Sequence, residues 1–188
     1  MSYIDELVAA YRKTVSLPWQ QNLAPPQRVW MAVYPPEHER RLRLPLHLTD
    51  FAAATKDAHH PWALADITTS FERWMADHDY RDAYFESPDL LDTALPTFFD
   101  HLVAEVRNHL DAHADPNGVV GLLGAGTLFG LGDVVKVSAL LNAVNDAIRG
   151  RLLVFFPGEV ENNNFRLLDG RDGWDYMAIV IKPSGSGR

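Results

Sequence analysis

The chain has 188 residues, of which 47% are hydrophobic, and its 25 acidic and 17 basic side chains give a formal charge of −8. This length predicts one domain whose core is large enough to fold without disulfides or a structural metal. The absence of cysteine excludes disulfide scaffolds, thiolate zinc sites, iron–sulfur clusters and cysteine nucleophiles. The negative charge disfavours non-specific binding to nucleic acids or anionic membranes.

The hydropathy profile and the N-terminal residues indicate where the protein works. No apolar run approaches the roughly 20 residues of a membrane-spanning helix. Asp5 and Glu6 stand where a signal peptide would carry basic and apolar residues. These features predict a cytoplasmic protein. We expect a single domain over residues 1–183 and a flexible Gly/Ser tail over residues 184–188.

Helical and extended patterns alternate along the first third of the chain. The leucines in the middle of this region alternate with polar residues, and the proline among them restricts that segment to an edge strand or an irregular segment. In chain order, the predicted elements are a helix capped by Ser2 that ends before Pro18, a buried strand from Arg28 to Tyr34, an extended segment from Leu42 to Leu48, a short helix from Thr49 to about Lys56, and a strand from Trp62 to Ile67.

A long helical region follows, from Thr68 to Ala114, and Pro96 within it fits the first turn of a long helix. Strands and helices then alternate again. The later predicted elements are a strand from Val119 to Leu123, a glycine-rich loop from Gly124 to Gly132, a helix from Asp133 to about Ile148, a strand from Leu152 to Phe156, and two strands, Phe165 to Leu168 and Tyr176 to Ile181, joined through Asp169-Gly170 and Asp172-Gly173 turns.

Apolar strands that alternate with helices are typical of parallel sheets covered on both faces. The sequence therefore predicts an α/β fold: a single three-layer domain with a mostly parallel sheet flanked by helices and a C-terminal antiparallel strand pair. Ligand sites in such sheets lie beyond the carboxyl ends of the strands. Four segments would meet at that edge: Tyr34 to Glu37, Asp66, Gly124 to Gly132, and Pro157 to Glu159.

The glycine-rich loop follows a strand and precedes a predicted helix, which is the position of a phosphate-binding loop. It lacks the lysine of a P-loop, because Thr127 and Leu128 follow Gly126. Its glycines also have the wrong spacing for a dinucleotide-binding fingerprint. We expect a tight turn that packs closely, and a degenerate phosphate loop stays open as the alternative.

Patterns typical of catalysis or metal binding are incomplete in this sequence. None of the four lysines follows an acidic residue by two positions, as a common nuclease arrangement requires. His109 and His113 stand one helical turn apart without a metalloprotease glutamate, which favours a solvated helix face. Glu37, Glu39 and Glu159 are placed to share the predicted edge, where turn and capping roles are favoured over acid–base chemistry. We expect no catalytic residue, cofactor or metal.

Three stretches of the chain carry a family resemblance. They are Val33 to Glu39, Gly121 to Asn142, and Leu153 to Glu159 with the following Phe165 to Gly170 and Tyr176. In sequence and order they resemble the BrxB family of BREX bacteriophage-exclusion systems. Val160 stands where that family usually has a tyrosine or a similar residue, and an asparagine run, Asn162 to Asn164, occupies the following turn.

The resemblance implies a bacterial antiphage component with no established catalytic activity of its own, which acts by binding other BREX proteins such as the large ATPase or the phosphatase-like subunit. We expect an adaptor that contacts neither membrane nor nucleic acid. The alternatives are a nucleotide-binding or hydrolytic domain with a degenerate phosphate loop, and a nucleic-acid-binding face formed by Arg28, Arg40, Arg41 and Arg43. The candidate partner-binding residues are Tyr34, Pro36, Glu37, Glu39, Gly124, Gly126, Phe129, Pro157, Gly158 and Glu159.

Overall fold

Helices flank a mixed β-sheet in this α/β protein. The computed structural model describes residues 1–170 and 173–185, without the side chains of residues 45 and 46. The helices are α1 (Tyr3–Val15), α2 (Glu39–Leu42), α3 (Pro45–Asp57), α4 (Ser70–Ala76), α5 (Arg81–Glu86), α6 (Leu95–Ala112) and α7 (Val137–Val144). The strands are β1 (Val29–Tyr34), β2 (Trp62–Asp66), β3 (Val119–Leu123), β4 (Arg151–Glu161), β5 (Asn164–Leu167), β6 (Trp174–Asp175) and β7 (Ile179–Ile181).

The centre of the described sheet is parallel, in the strand order β2-β3-β4-β1-β7. The long strand β4 first pairs with β3 and β1, and from Gly158 onward it pairs antiparallel with β5, which in turn pairs with β6. A Cβ atom on Gly158 would lie 2.0 Å from the carbonyl oxygen of Arg166. Only glycine fits at the position where β4 changes from parallel pairing with β1 and β3 to antiparallel pairing with β5.

Strand β1 contributes to two separate hydrophobic clusters. Val29, Met31 and Val33 pack in a cluster that includes residues of α6 and α7, whereas Trp30 and Ala32 pack in one that includes residues of α1 and α3. The alternation follows from the two-residue period of an extended chain. All six residues of β1 are buried, which explains why its sequence is apolar without interruption.

Several predicted elements are confirmed. Helix α1 begins with a capping box, in which the Ser2 hydroxyl accepts from the Asp5 amide at 3.2 Å and the Asp5 carboxylate accepts from the Ser2 amide at 2.7 Å. Strands β1, β2 and β3 lie where their apolar runs predict them. Pro96 lies in the first turn of α6, where its missing amide hydrogen is not needed.

The extended segment predicted for Leu42 to Leu48 is wrong. Leu42 ends α2, residues 43 and 44 form a turn, and α3 begins at Pro45, four residues before the predicted start at Thr49. Proline at the first helical position has a favourable backbone angle and loses no hydrogen bond. The alternating leucines therefore do not mark a strand, and Leu42 is buried at the end of α2.

Two predictions in the C-terminal half also need correction. The helix predicted from Asp133 begins only at Val137, because the backbone of Lys136 just before it is extended. The strand predicted for Tyr176 to Ile181 is reduced to β7, which pairs in parallel with β1, and β5 pairs instead with β6. The predicted Asp172-Gly173 turn and the tail beyond residue 185 lie outside the described residues.

Candidate binding edge at the carboxyl ends of the sheet

Strands β1 to β4 are parallel, so their carboxyl ends lie at one edge of the sheet. A cleft of about 400 Å³ opens there, and we call it the edge cleft. The segments that follow β1, β2 and β3 contribute to it, together with Pro157 within β4 and Leu168 just after β5. Its lining residues are Pro36, Glu39, Arg43, Thr68, Gly126, Thr127, Pro157 and Leu168.

A continuous chain of hydrogen bonds crosses this edge. The Tyr34 hydroxyl donates to one carboxylate oxygen of Glu39, and Arg43 Nε donates to the other at 2.5 Å. Arg43 Nη1 also donates to the Thr68 hydroxyl at 2.9 Å. The Thr68 hydroxyl donates to the carboxylate of Asp66, which also accepts from the Thr68 amide at 2.9 Å. Polar groups from β1, α2 and the end of β2 thereby hold one another in place.

Tyr34 is a buried hydrogen-bond donor to Glu39. Its side chain is buried, and burial raises the pKa of the Tyr34 hydroxyl far above its ordinary value. The negative charge of Glu39 and the hydrogen bond to it raise that pKa further. Arg43 neutralises the Glu39 carboxylate from the other side, so the pair leaves little net charge in the edge cleft.

The position of Glu39 depends on contacts made by the preceding 3₁₀ turn, Pro36–His38. The Tyr3 hydroxyl of α1 donates to the Val33 carbonyl at 3.2 Å, and the Tyr3 ring stacks on the ring of His38 with centroids 5.1 Å apart. Helix α1 therefore supports the turn that carries Glu39 towards Tyr34.

The glycine-rich loop meets the end of β2 at very short range. Gly124 has a φ of +105°, and a Cβ atom there would lie 2.6 Å from the Thr68 amide nitrogen. The loop then closes on itself: the Thr127 amide donates to the Gly124 carbonyl at 3.0 Å, and the Phe129 amide donates to the Gly126 carbonyl at 3.2 Å. The glycine at position 124 is thus explained by packing, and two amides that could face an anion bind the loop itself.

Phe129 follows in the same loop and lines a second depression, the Phe129 groove, of about 380 Å³. Its side chain is 47% exposed. Leu167 of β5 and Trp174 of β6 also line the groove. Lys136, which forms an ion pair with Asp133 at 3.1 Å, lies at the same groove. The loop and the antiparallel strands therefore present an accessible aromatic ring among apolar side chains, next to an ion pair without net charge.

The three carboxylates expected to share the edge are divided by the fold. Glu39 lines the edge cleft, and Glu37 is exposed in the preceding turn. Glu159 lies on the antiparallel extension of β4, where its side chain accepts from Arg166 Nη2 at 2.8 Å. Gly158, next to Glu159, is the glycine required where β4 changes from parallel to antiparallel pairing.

Four residues of the edge cleft are not among the candidate binding residues of the sequence analysis: Arg43, Thr68, Thr127 and Leu168. Arg43 follows Glu39 by four residues, a spacing that indicates an ion pair on a helix. The sequence analysis did not predict this ion pair because it assigned an extended segment from Leu42 to Leu48. Thr68 follows Asp66 by two residues, and this spacing allows the carboxylate to accept from the later backbone amide.

The alternative of a nucleic-acid-binding face requires four arginines on one surface, and the described structure does not assemble them there. Arg28 precedes β1 and donates to the Ile148 carbonyl at 2.8 Å, whereas Arg40, Arg41 and Arg43 follow the opposite end of this strand. Six extended residues separate the two ends by roughly 20 Å. Arg43 is also committed to Glu39 and Thr68, as described above.

Two kinds of feature are absent over residues 1–170 and 173–185. No three histidine, aspartate or glutamate side chains there are placed to hold one metal ion. None of the helices in that part of the chain combines the length and the apolar character needed to cross a membrane.

Comparison of the chain with protein-family models, with curated proteins and with solved structures finds no match. The fold and the site define an α/β protein with a mixed sheet. At the carboxyl edge of that sheet, a self-paired polar cleft adjoins a loop with a half-exposed aromatic side chain.

Proposed function

We propose that the protein is a non-catalytic adaptor of a BREX-type antiphage system, a three-layer α/β domain that works in the cytoplasm by binding the large ATPase or the phosphatase-like subunit. The partner-facing surface is the edge cleft together with the Phe129 groove. The single observation that carries this proposal is the half-exposed Phe129 beside a set of polar groups that already bind one another.

The polar groups of the edge cleft support a binding role because they are held rigidly before any partner arrives. Tyr34, Glu39, Arg43 and Thr68 are connected through two strands and one helix, so little side-chain freedom remains to be lost on association. Aromatic side chains dominate the binding energy of many protein interfaces. Phe129 supplies such a side chain, and it is displayed by a loop that packs tightly against the sheet.

The alternative function is a nucleotide-binding or hydrolytic domain. Arg43 and Thr127 favour it, because a guanidinium group and a hydroxyl line a cleft at the edge where ligands of α/β sheets bind. Two features weigh against it: Arg43 is neutralised by Glu39, and α7 begins well beyond the glycine-rich loop, so no helix N-terminus follows the loop directly.

Binding of the purified protein to each purified subunit, measured by biolayer interferometry, tests the proposal. We expect Phe129→Asp to weaken binding at least about tenfold, because a charge replaces an aromatic contact. Leu17→Asp is the matched control, since Leu17 is a 56% exposed apolar residue at the end of α1. Circular dichroism should be unchanged in both variants.

The outcomes separate the two functions. Undiminished binding by Phe129→Asp would remove the groove as the contact, and no binding of the unmodified protein to either subunit would refute the adaptor role. A thermal-shift series with nucleotides and magnesium tests the alternative. A bound nucleotide at about 100 times its Kd would stabilise the fold by about 2.7 kcal/mol.

A further inference from the structure

The segment from Asp77 to Thr93, which we call the acidic segment, holds much of the charge of the protein. Six carboxylates and one arginine give these residues a formal charge of −5, more than half of the −8 of the whole chain. All six carboxylate residues are exposed. Arg81 offsets only part of this charge, and its nearest carboxylate contact is Asp82 at 3.6 Å.

The same segment exposes three large apolar side chains. Phe85 of α5 is 74% exposed, Tyr80 just before this helix is 67% exposed, and Leu90 in the 3₁₀ turn Pro88–Thr93 is 49% exposed. Large apolar side chains exposed within one short segment are candidates for an interaction site. Tyr80 makes a ring contact with His78, with centroids 6.1 Å apart, and its side chain still stays largely accessible.

Short contacts anchor the acidic segment to the fold. The His78 ring packs against Trp74 of α4 with centroids 4.8 Å apart and against Tyr84 at 5.2 Å. The Tyr80 amide donates to His78 Nδ1 at 3.2 Å, and Arg81 Nη1 donates to the Ala76 carbonyl at 2.8 Å. These contacts hold the inner side of the segment while Phe85 and Tyr80 stay accessible.

We propose that the acidic segment is a second docking surface, which binds a protein partner through a basic face with apolar pockets for Phe85 and Tyr80. The charge decides the class of partner. A phosphate backbone or an anionic membrane would be repelled by a local charge of −5, whereas lysine and arginine side chains would be attracted. Specific protein interfaces commonly have aromatic side chains at the centre and polar or charged residues at the rim.

The partner tested depends on the proposed function, because we identify it with the subunit that binds the protein in the preceding assay. Phe85→Ser should weaken binding to that subunit at least about tenfold, and Leu17→Ser, which also removes an exposed apolar side chain, should not. Asp82→Lys should slow association and reduce its salt dependence, because surface charges steer encounter. Asp111→Lys, a charge reversal on the exposed face of α6, is its control.

The results distinguish this inference from the adaptor role. Binding that is lost in Phe129→Asp but unchanged in Phe85→Ser would overturn the second docking surface and leave the adaptor role intact. If neither subunit binds the unmodified protein, both proposals fail. Sedimentation velocity provides a further check: a dimer that Phe85→Ser dissolves would show that this surface contacts a second copy of the chain and would overturn the assignment to a basic partner.

Discussion

Replacement of Gly124 by alanine tests whether the glycine-rich loop exists for close packing. The added Cβ atom would lie 2.6 Å from the amide nitrogen and 2.9 Å from the Cα atom of Thr68. Both are backbone atoms at the end of β2, so the loop or the strand end must move. Gly130 is the matched control, because it also has positive φ, at +81°, but has no atom within 4 Å of the corresponding position.

The expected cost follows from two contributions. An L-residue at positive φ costs about 1–2 kcal/mol, and this contribution applies to both variants. Forcing a methyl group into occupied space costs a further 1–3 kcal/mol or so, and this applies to Gly124→Ala alone. We therefore expect the free energy of unfolding to fall by about 2–5 kcal/mol in Gly124→Ala and by about 1–2 kcal/mol in Gly130→Ala.

Urea unfolding followed by tryptophan fluorescence measures both values. The loss of unfolded-state entropy on replacing glycine by alanine is the same in the two variants and cancels in the comparison. Equal destabilisation of the two variants would refute the packing explanation and would reopen the view that Gly124 is kept for a bound ligand.

Two further predictions concern buried hydroxyls and acid stability. Tyr34→Phe should cost about 1.5–3 kcal/mol in urea unfolding, because the Tyr34 hydroxyl donates to the charged Glu39 carboxylate. Tyr11→Phe should cost about 1 kcal/mol, because the Tyr11 hydroxyl donates to the neutral Thr55 hydroxyl, which itself donates to the Phe51 carbonyl. Equal losses in the two variants would contradict the charge-assisted bond of Tyr34. Hydrogen bonds from Ser2, with a smaller contribution from His47, lower the pKa of Asp5 from 3.8 to about 2. The ionised Asp5 carboxylate therefore stabilises the folded protein fully above about pH 4, and this contribution is lost as the pH falls towards about 2. The stability difference between the unmodified protein and Asp5→Asn should therefore shrink over that window in acid unfolding monitored by circular dichroism, and a difference independent of pH would exclude this role.

The candidate edge could be located from the sequence, but its chemistry could not. Apolar runs that stop at Tyr34, Asp66 and Leu123 place their following loops at one edge of a parallel sheet, and the structure has them there. The link from Glu39 to Arg43 was missed because alternating leucines outweighed the four-residue spacing of the ion pair. Local pattern cannot decide between strand and helix when a proline suits both an edge strand and a first helical turn.

Elements whose own residues contain the decisive signal could be predicted from the sequence alone. The capping box of α1, the apolar run of β1 and the proline at the start of α6 belong to this group. Only the tertiary structure decided that β4 changes partners at Gly158, that β7 joins the sheet beside β1, and that Phe129 stays half exposed while Phe165 is buried. These outcomes depend on contacts between residues far apart in the chain, and such contacts leave no periodic pattern in the segments they join.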